Sequence, residues 1–384
     1  MRRPGTAGAV LAAVVAGATL VAQQGAGVQR GRPGDGRTPE FPPPTIVDYK
    51  PRSTLRAAEH RVARAKFPVI DIHSHQPTPI SPEQFNRVAA GMDANNIRLL
   101  VNLSGGSGDQ LRRGLDAIAA SPHRARMVLF ANVDFAGAGT PGWAARAAGQ
   151  LEADIKAGAR GLKFFKDLGL RLRKADGSRL HVDDPELDSI WAVCGRLGVP
   201  VLIHTAEPQE FFEPIDARNE RWLELALYRD RRYPEGEFPR FEELLAERDR
   251  MFRRHPKTTF VAAHFGYRAN DLSKAQEMLD TMPNVRLEVA AILAELGRQP
   301  RAAHDFFVRN QERVLFGKDS FQPDEFPYYW RTFETADEYF DYYRDYHAFW
   351  KLYGMALPDA VLKKLYYKNA LALVTGLPKD GWPE

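Results

Sequence analysis

The strongest constraint on the fold is a pattern that recurs along most of the chain. A short run of β-branched and other apolar residues is followed by turn residues and then by a stretch with helical periodicity, roughly every 30 residues. Such alternation is typical of βα units that build a parallel sheet. It predicts strands over residues 69–73, 97–102, 127–133, 159–165, 199–204, 258–264, 285–290 and 314–317. Eight units predict an α/β fold, a closed (β/α)8 TIM barrel with a C-terminal helical extension.

The N-terminal residues differ in composition from this pattern. Arg2 and Arg3 precede an apolar run over residues 9–22, which is typical of an export signal cleaved near Ala22. The run is short for a membrane span, and an uncleaved N-terminal anchor is the alternative. The following residues are rich in Gly, Pro, Arg and Gln, as in a disordered linker. The predicted division is a signal peptide at 1–22, a linker at 23–50 and a barrel domain at 51–384. We expect the barrel to be exported, to the periplasm or the extracellular space.

Composition limits the kinds of molecule that the chain is expected to bind. The chain has 384 residues with 53 Lys and Arg against 49 Asp and Glu, and these charges are interspersed as on solvated helix faces rather than clustered as in a nucleic-acid groove. The single cysteine, Cys194, excludes an internal disulfide, and its apolar helical setting favours a core residue over a nucleophile. We expect a small-molecule substrate, no nucleic-acid partner and no stable membrane span after signal cleavage. A homo-oligomer is left open.

Polar residues follow the apolar runs at the predicted strand ends. His73 and His75 alternate with isoleucines on the first strand, so both point to one face and can reach a single cation. A hydrogen-bonded histidine pair is the alternative. The other predicted strands end near Lys163, His204, His264 and Asp319. Active sites of such barrels lie at the C-terminal ends of the strands, and buried titratable groups need partners. Four histidines and a carboxylate at one rim therefore predict a metal site.

Four short motifs carry a resemblance to a known family. They are Asp71-Ile72-His73-Ser74-His75, Leu202-Ile203-His204-Thr205, Ala263-His264-Phe265-Gly266 and Phe316-Gly317-Lys318-Asp319, in this order across the strands. From Pro68 to the last helix the chain resembles the amidohydrolase superfamily. It is most similar to the amidohydrolase-related branch that also contains non-oxidative decarboxylases such as aminocarboxymuconate-semialdehyde decarboxylase. Lys318 departs from the small residue usual in relatives, and by alternation we expect it to point away from Asp319.

The resemblance implies a cofactor and a set of site residues. It implies one divalent metal, with zinc as the first candidate and manganese as the second, held by His73, His75, His204 and Asp319, and it implies catalytic roles for His264 and Asp319. Three further residues are candidates for substrate binding: Lys163, Glu207 and Arg298. Lys163 stands where binuclear relatives carry a carboxylated lysine that bridges two metals, and we favour one metal. An exposed loop carboxylate at Glu207 and a surface arginine at Arg298 are the alternatives.

Three functions compete on these residues. The first is hydrolysis, in which metal-activated water attacks a C–N, ester or lactone carbonyl. The second is non-oxidative decarboxylation or hydration of a small carboxylic acid on the same ligand set. The third is a metal- or ligand-binding barrel without catalysis.

The long segment 205–237 predicts a lid or binding loop. The aromatic residues between 324 and 350 predict packing against the barrel rim or, alternatively, a stacking surface for a ligand.

Overall fold

A computed structural model of the protein describes residues 40–383. The predicted signal peptide at 1–22 and the linker as far as residue 39 lie outside the described residues. Contacts divide the chain between Ser53 and Thr54. In the first unit, residues 40–53 are exposed and contain a turn in which Asp48 N donates to Thr45 O at 3.0 Å. The second unit holds all the helices and strands given below.

Eight parallel strands confirm the predicted pattern. They are β1 (Val69–Ser74), β2 (Ile97–Asn102), β3 (Met127–Leu129), β4 (Leu162–Phe164), β5 (Val201–Ile203), β6 (Phe260–Ala262), β7 (Val285–Glu288) and β8 (Val314–Leu315). Hydrogen bonds join β1 to β3 in one group and β4 to β8 in another, each in sequence order and parallel. Most strands are shorter than predicted, because the apolar runs continue into the loops that leave the strand ends.

Two bridges close these groups into a barrel. Ala131, just beyond β3, pairs in parallel with Leu162 of β4, and Ser74 of β1 pairs in parallel with Asp319 beyond β8. The second seam is reinforced by Ile72 N, which donates to Phe316 O at 3.1 Å, and by Asp319 N, which donates to the His73 carbonyl at 2.6 Å. The predicted (β/α)8 barrel is therefore confirmed. Its closure places Ser74 at the end of β1 beside Asp319 in the segment that follows β8.

Helical segments follow the strands. They are α1 (Pro82–Asn95), α2 (Gly108–Ala119), α3 (Trp143–Ala157), α4 (Asp167–Leu170), α5 (Asp188–Leu197), α6 (Trp222–Leu227), α7 (Phe241–Arg254), α8 (Leu272–Thr281), α9 (Leu293–Gly297), α10 (Pro300–Arg309), α11 (Phe326–Glu334), α12 (Asp359–Lys363) and α13 (Asn369–Leu373). The first begins as its sequence predicts: Ser81 Oγ accepts from Gln84 N at 3.2 Å, Gln84 Oε1 accepts from Ser81 N at 3.3 Å, and Pro82 takes the first helical position. None of the helices in residues 40–383 is long and apolar enough to cross a membrane.

Two predictions outside the barrel have opposite outcomes. A charged, helix-like pattern over residues 53–66 predicts a lead-in helix, but residues 54–63 form no helix and are mostly exposed. Short helices need tertiary packing, and this segment has little buried apolar surface to supply it.

The aromatic residues after β8 do pack: Tyr329, Trp330 and Phe333 of α11 are fully buried, and Trp330 lies 5.0 Å from the Phe316 ring just after β8. The rim-packing interpretation is thus confirmed for this helix.

Candidate metal centre

Three side chains with metal-ligating atoms meet at the closing seam of the barrel. The Nε2 atoms of His73 and His75 both lie 3.4 Å from Oδ1 of Asp319, and the three ligand atoms lie within 4.8 Å of one another. His73 is fully buried, and Asp319 takes a left-handed backbone with φ of 76°. The parallel pairing of β1 with the residues after β8 brings these groups together although they are far apart in sequence.

A fully buried carboxylate, Glu288 at the end of β7, orients this group. Its Oε1 accepts from His73 Nδ1 at 2.9 Å and from the His264 backbone N–H at 2.6 Å, and its Oε2 accepts from Ala290 N at 2.6 Å. Because the Nδ1 proton of His73 is donated to Glu288, the Nε2 atom presents a lone pair toward the oxygen of Asp319. Two lone pairs facing each other at this distance repel unless a positive charge offsets them, and Lys163 Nζ, 3.2 Å from the same Nε2, offsets them in part. The donor set of two imidazoles and a carboxylate therefore fits a divalent metal such as zinc.

The charges around the group agree with such a role. Burial lowers the pKa of His73 well below its ordinary value, so the imidazole is neutral at neutral pH. Burial alone would raise the pKa of Asp319, but its contact with His75 and the other neighbouring imidazoles hold it well below the ordinary range. Neutral imidazoles and an ionised carboxylate are the protonation states in which these side chains bind metals.

Asp71 hydrogen-bonds to both of the chain segments that carry the ligands, one at β1 and one after β8. Its Oδ1 accepts from His73 N at 3.0 Å and from Lys318 N at 3.1 Å, while its Oδ2 has no hydrogen-bond partner among the described residues. Burial raises the pKa of this carboxyl to about 8. The side chain therefore ties the start of the barrel to its end, immediately behind the group formed by His73, His75 and Asp319.

Lys163 reaches the ligand group from β4. Its Nζ lies 3.2 Å from His73 Nε2, and the side chain is 1% exposed. Burial lowers the pKa of this lysine to about 8. The ammonium thus lies against the Nε2 atom of His73.

His264 lies beside the ligand group in a strained segment. Its ring centre is 5.0 Å from that of His73, and its Nδ1 donates to the Ala290 carbonyl at 2.9 Å, which leaves Nε2 as the unprotonated nitrogen. Burial lowers its pKa to about 4, so the ring is neutral at neutral pH. His264, Phe265 and Tyr267 all have left-handed backbones, with φ between 54° and 59°. Such residues cost of the order of 1–3 kcal/mol each and cluster at functional sites.

His204 is brought next to His264 but not into the three-residue ligand group. Its Nδ1 lies 3.2 Å from His264 Nε2, and its Nε2 lies 2.9 Å from the hydroxyl of Tyr267. That hydroxyl donates to Glu207 at 2.8 Å, and Glu207 also pairs with Lys166. Because the hydroxyl proton of Tyr267 is donated to Glu207, its oxygen accepts from His204 Nε2–H. Burial lowers the pKa of His204, and the Nδ1 of the neutral ring then has a lone pair that faces the unprotonated Nε2 of His264. The role of His204 as the fourth ligand stays a prediction.

A cavity of about 220 Å³ opens in front of these residues. Asp319, His204 and His264 lie at its inner end, and Glu207 is buried in its wall rather than exposed. The outer wall comes largely from the predicted lid segment and from the residues that follow α11, as shown by the lining residues Phe211, Arg221, Glu224, Arg231, Glu295, Arg344 and His347. The long segment 205–237 therefore does form part of the binding cavity.

Two basic residues singled out in the sequence point elsewhere. Arg298 does not line this cavity: it ends α9, pairs with Glu220 at 2.6 Å and stacks at 4.2 Å over the ring of Trp350. The guanidinium is thus engaged by Glu220 and Trp350, and its contact with substrate stays a prediction. Lys318 points away from Asp319, as alternation predicts, and pairs with Glu325.

Several residues of the site were not predicted. Glu288 gave a usable signal, because a carboxylate inside the apolar run of β7 needs a buried partner, as Asp319 does after β8. Tyr267 and Lys166 lie in loops just beyond strand ends, where alternation no longer indicates a direction. Arg221, Arg344 and His347 reach the cavity from segments without periodicity, and no sequence signal pointed to them.

A second group of metal-ligating side chains lies away from this site. His181, Asp183 and Glu247 have ligand atoms within 4.8 Å of one another. Glu247, however, is held by Arg179 through two hydrogen bonds of 3.0 and 2.6 Å. Its oxygens already have a cation, and we assign this group a structural role. Cys194 is likewise structural, since it is buried in the core and burial raises the pKa of its thiol.

Comparisons with known proteins relate the chain to several solved structures. An uncharacterised TIM-barrel protein from Bordetella bronchiseptica is 16% identical, with 79% of this chain and 97% of that chain covered and a TM-score of 0.49. The 5-carboxyvanillate decarboxylase LigW from Sphingomonas paucimobilis is 15% identical, with 80% and 99% covered and a TM-score of 0.46. The 4-oxalomesaconate hydratase LigJ from Rhodopseudomonas palustris is 13% identical, with 80% and 95% covered and a TM-score of 0.47. No match to a curated protein was found.

The family itself is shown by a match to the whole barrel. The model of the family described as amidohydrolase matches residues 70–375, from the first strand to the end of the last helix. This range contains every residue of the site described above. The protein is therefore an enzyme of the metal-dependent amidohydrolase family.

Proposed function

We propose that the protein hydrolyses a C–N, ester or lactone bond of a small substrate with the help of one divalent metal, zinc before manganese. The observation that carries this proposal is the convergence of His73 Nε2, His75 Nε2 and Asp319 Oδ1 beside a neutral His264 at the mouth of the barrel. When bound, the metal would supply Lewis-acid activation of water and of the substrate oxygen.

The chain's own residues would handle the protons. The Nδ1 proton of His264 is committed to the Ala290 carbonyl, so its Nε2 is the atom that accepts a proton from the attacking water or returns one to the leaving group. Asp319 remains ionised and can share this work. The cavity wall, which includes Glu207 and Tyr267, would orient the substrate and limit the entry of water.

The first test is the metal itself. We expect the purified protein to hold about one equivalent of zinc or manganese, and a His73→Ala variant to lose it, measured by elemental analysis. Arg298→Ala is the matched control, because that side chain lies outside the site. A protein that retains its metal in the His73 variant would contradict the proposed centre. Two equivalents in the wild type would instead assign Lys163 the bridging role that binuclear relatives give it.

The second test separates the reactions that the same ligand set could support. We expect the metal-loaded protein to cleave members of a panel of amides, esters and lactones, and His264→Asn to abolish this activity while keeping the metal. Release of carbon dioxide, or hydration of a double bond, from small carboxylic acids without hydrolysis would assign the decarboxylase or hydratase alternative. Equal properties of wild type and His264→Asn in every assay would indicate a non-catalytic binding barrel.

We also propose that the enzyme works outside the cytoplasm. The proposal is supported by Arg2, Arg3 and the apolar run at residues 9–22. Expression of the full chain followed by N-terminal mass analysis of the exported protein tests it. A mature N-terminus near residue 23 is expected, whereas an intact chain in the membrane fraction would indicate the anchored alternative and an intact chain in the cytoplasm would contradict export.

A further inference from the structure

Four cationic side chains line the cavity, and three of them are held in close ion pairs. Arg221 is 2% exposed and holds both Glu224 and Glu295 at 2.7 Å. The other two, Lys166 and Arg231, are paired with Glu207 and Glu224. An anion that approaches one of these three cations also meets the carboxylate already paired with it, and like charges side by side disfavour binding.

Arg344 is paired more loosely than these three. Its Nη2 lies 3.5 Å from the two carboxylate oxygens of Glu325 and 3.3 Å from Ser320 Oγ. Among the residues that the structure describes, its Nε and Nη1 atoms have no hydrogen-bond partner. Glu325 in turn is paired with Lys318, whose side chain is buried. Two cations therefore share one carboxylate, and the guanidinium of Arg344 also lies over the ring of Tyr343, 5.3 Å from its centre, so its positive charge is offset only in part.

The position of Arg344 links this charge to the metal centre. Ser320, which its guanidinium contacts, directly follows Asp319 in the chain, and both Arg344 and Asp319 line the same cavity. A molecule bound in this cavity can therefore present one group to the metal ligands and another to the guanidinium.

A buried donor lies in the same wall. Arg221 Nη2 lies 2.5 Å from Nε2 of His347, and a guanidinium can only donate, so the proton of this imidazole is on Nδ1. That Nδ1 is buried, lies 3.9 Å from Glu224 Oε2 and has no hydrogen-bond partner among the described residues. A buried donor without a partner costs free energy that a bound acceptor would recover. Both Arg344 and His347 come from the segment between α11 and α12.

We propose that Arg344, assisted by the Nδ1–H of His347, binds a carboxylate of the substrate while the opposite end of the substrate faces the metal centre. The enzyme would then select anionic substrates through the segment that follows α11, and not through Arg298. The inference rests on the proposed function for the reacting end of the substrate only, since anion binding at Arg344 needs no turnover.

The test is equilibrium binding of matched charged and neutral probes. Dicarboxylates from malonate to adipate and their diamides are titrated calorimetrically into the full-length protein as purified, with its metal content measured. We expect at least one dicarboxylate to bind about tenfold or more tightly than its diamide, and Arg344→Gln to lose this preference, as the removal of a charge-assisted bond implies. Arg344→Lys should keep part of it. Arg298→Gln, a matched arginine stacked on an aromatic ring outside the cavity, should keep it in full.

Each outcome decides the inference separately from the proposed function. Dicarboxylate binding that is unchanged in Arg344→Gln, or a wild type that prefers no dicarboxylate over its diamide, would overturn it. A protein without metal or hydrolytic activity that still binds a dicarboxylate through Arg344 would leave the inference standing and reject the proposed function. His347→Phe removes the second donor and should weaken the same dicarboxylate, and unchanged affinity there would remove His347 from the proposal.

Discussion

Replacement of Glu288 by glutamine tests whether the buried carboxylate at the end of β7 prepares His73 for metal binding. Glutamine keeps the shape of the side chain but turns one of its two acceptor oxygens into an NH2 donor. In one orientation that donor faces His73 Nδ1–H and the His264 backbone N–H, and in the other it faces the N–H of Ala290. Either way, a donor that is satisfied in the wild type loses its partner.

The cost follows from these contacts. The second orientation sacrifices a single hydrogen bond and leaves one buried N–H unsatisfied, which costs about 1–3 kcal/mol of unfolding free energy in the metal-free protein. The remaining bond to His73 changes from a charged to a neutral acceptor, which makes the imidazole a weaker ligand. Loss of such a partner of a ligating histidine typically lowers metal affinity about 10–100-fold.

The assay is zinc affinity of the metal-free protein, measured by competition with a chromophoric chelator at neutral pH. Glu247→Gln is the matched control, because Glu247 is equally buried and hydrogen-bonded but lies on α7 away from the ligand group. We expect Glu247→Gln to lose stability and to keep its zinc affinity. Glu288→Gln with an affinity within twofold of the wild type, or an equal loss in the control, would refute the assigned role of Glu288.

Three further predictions concern Lys163, Tyr267 and Glu247. Lys163→Met removes the ammonium that competes for His73 Nε2 at 3.2 Å, so zinc affinity should rise; a fall would show that Lys163 is itself a ligand. Tyr267→Phe removes the donor to Glu207 and should cost about 1 kcal/mol in denaturant titrations, and an unchanged midpoint would contradict the assigned bond. Burial alone would raise the pKa of Glu247, but its hydrogen bonds hold it below the ordinary 4.5. Its stabilising effect is then full above that pH and is lost in more acidic solution, so the melting temperatures of wild type and Glu247→Gln should converge in acid; a constant difference would contradict this assignment.

The sequence predicted the barrel because the spacing of apolar residues shows which side chains of a strand or helix are buried. Each strand is a short apolar run between turn residues, and the capped helix α1 begins where Ser81 and Pro82 predict it. The same reasoning located His73, His75 and Asp319, since polar groups that end buried strands in a parallel barrel must meet at one rim. The helix predicted over residues 53–66 is absent from residues 54–63, because a charged helical pattern does not supply an apolar surface to pack against.

The rest of the site depends on loops that periodicity does not describe. His204 ends its strand as predicted, yet its ring orientation is set by Tyr267 and Glu207 in two separate loops. Arg344 and His347 come from a segment whose path is determined by aromatic packing on α11 and its surroundings. The position of Arg298 depends in the same way on the short helix α9, which separates it from β7 and brings its side chain to Glu220 and Trp350.

The seam between the first and last strands has a consequence for how this enzyme is handled in the laboratory. Asp71 and Lys318, which meet there, are 247 residues apart in sequence, and the ligand group straddles the same junction. An ion bound by residues on both sides of this seam can bind only after the intervening chain has folded into the barrel. The zinc content of a refolded sample should therefore measure the fraction of molecules with a closed barrel. A partly folded chain would contain no bound zinc.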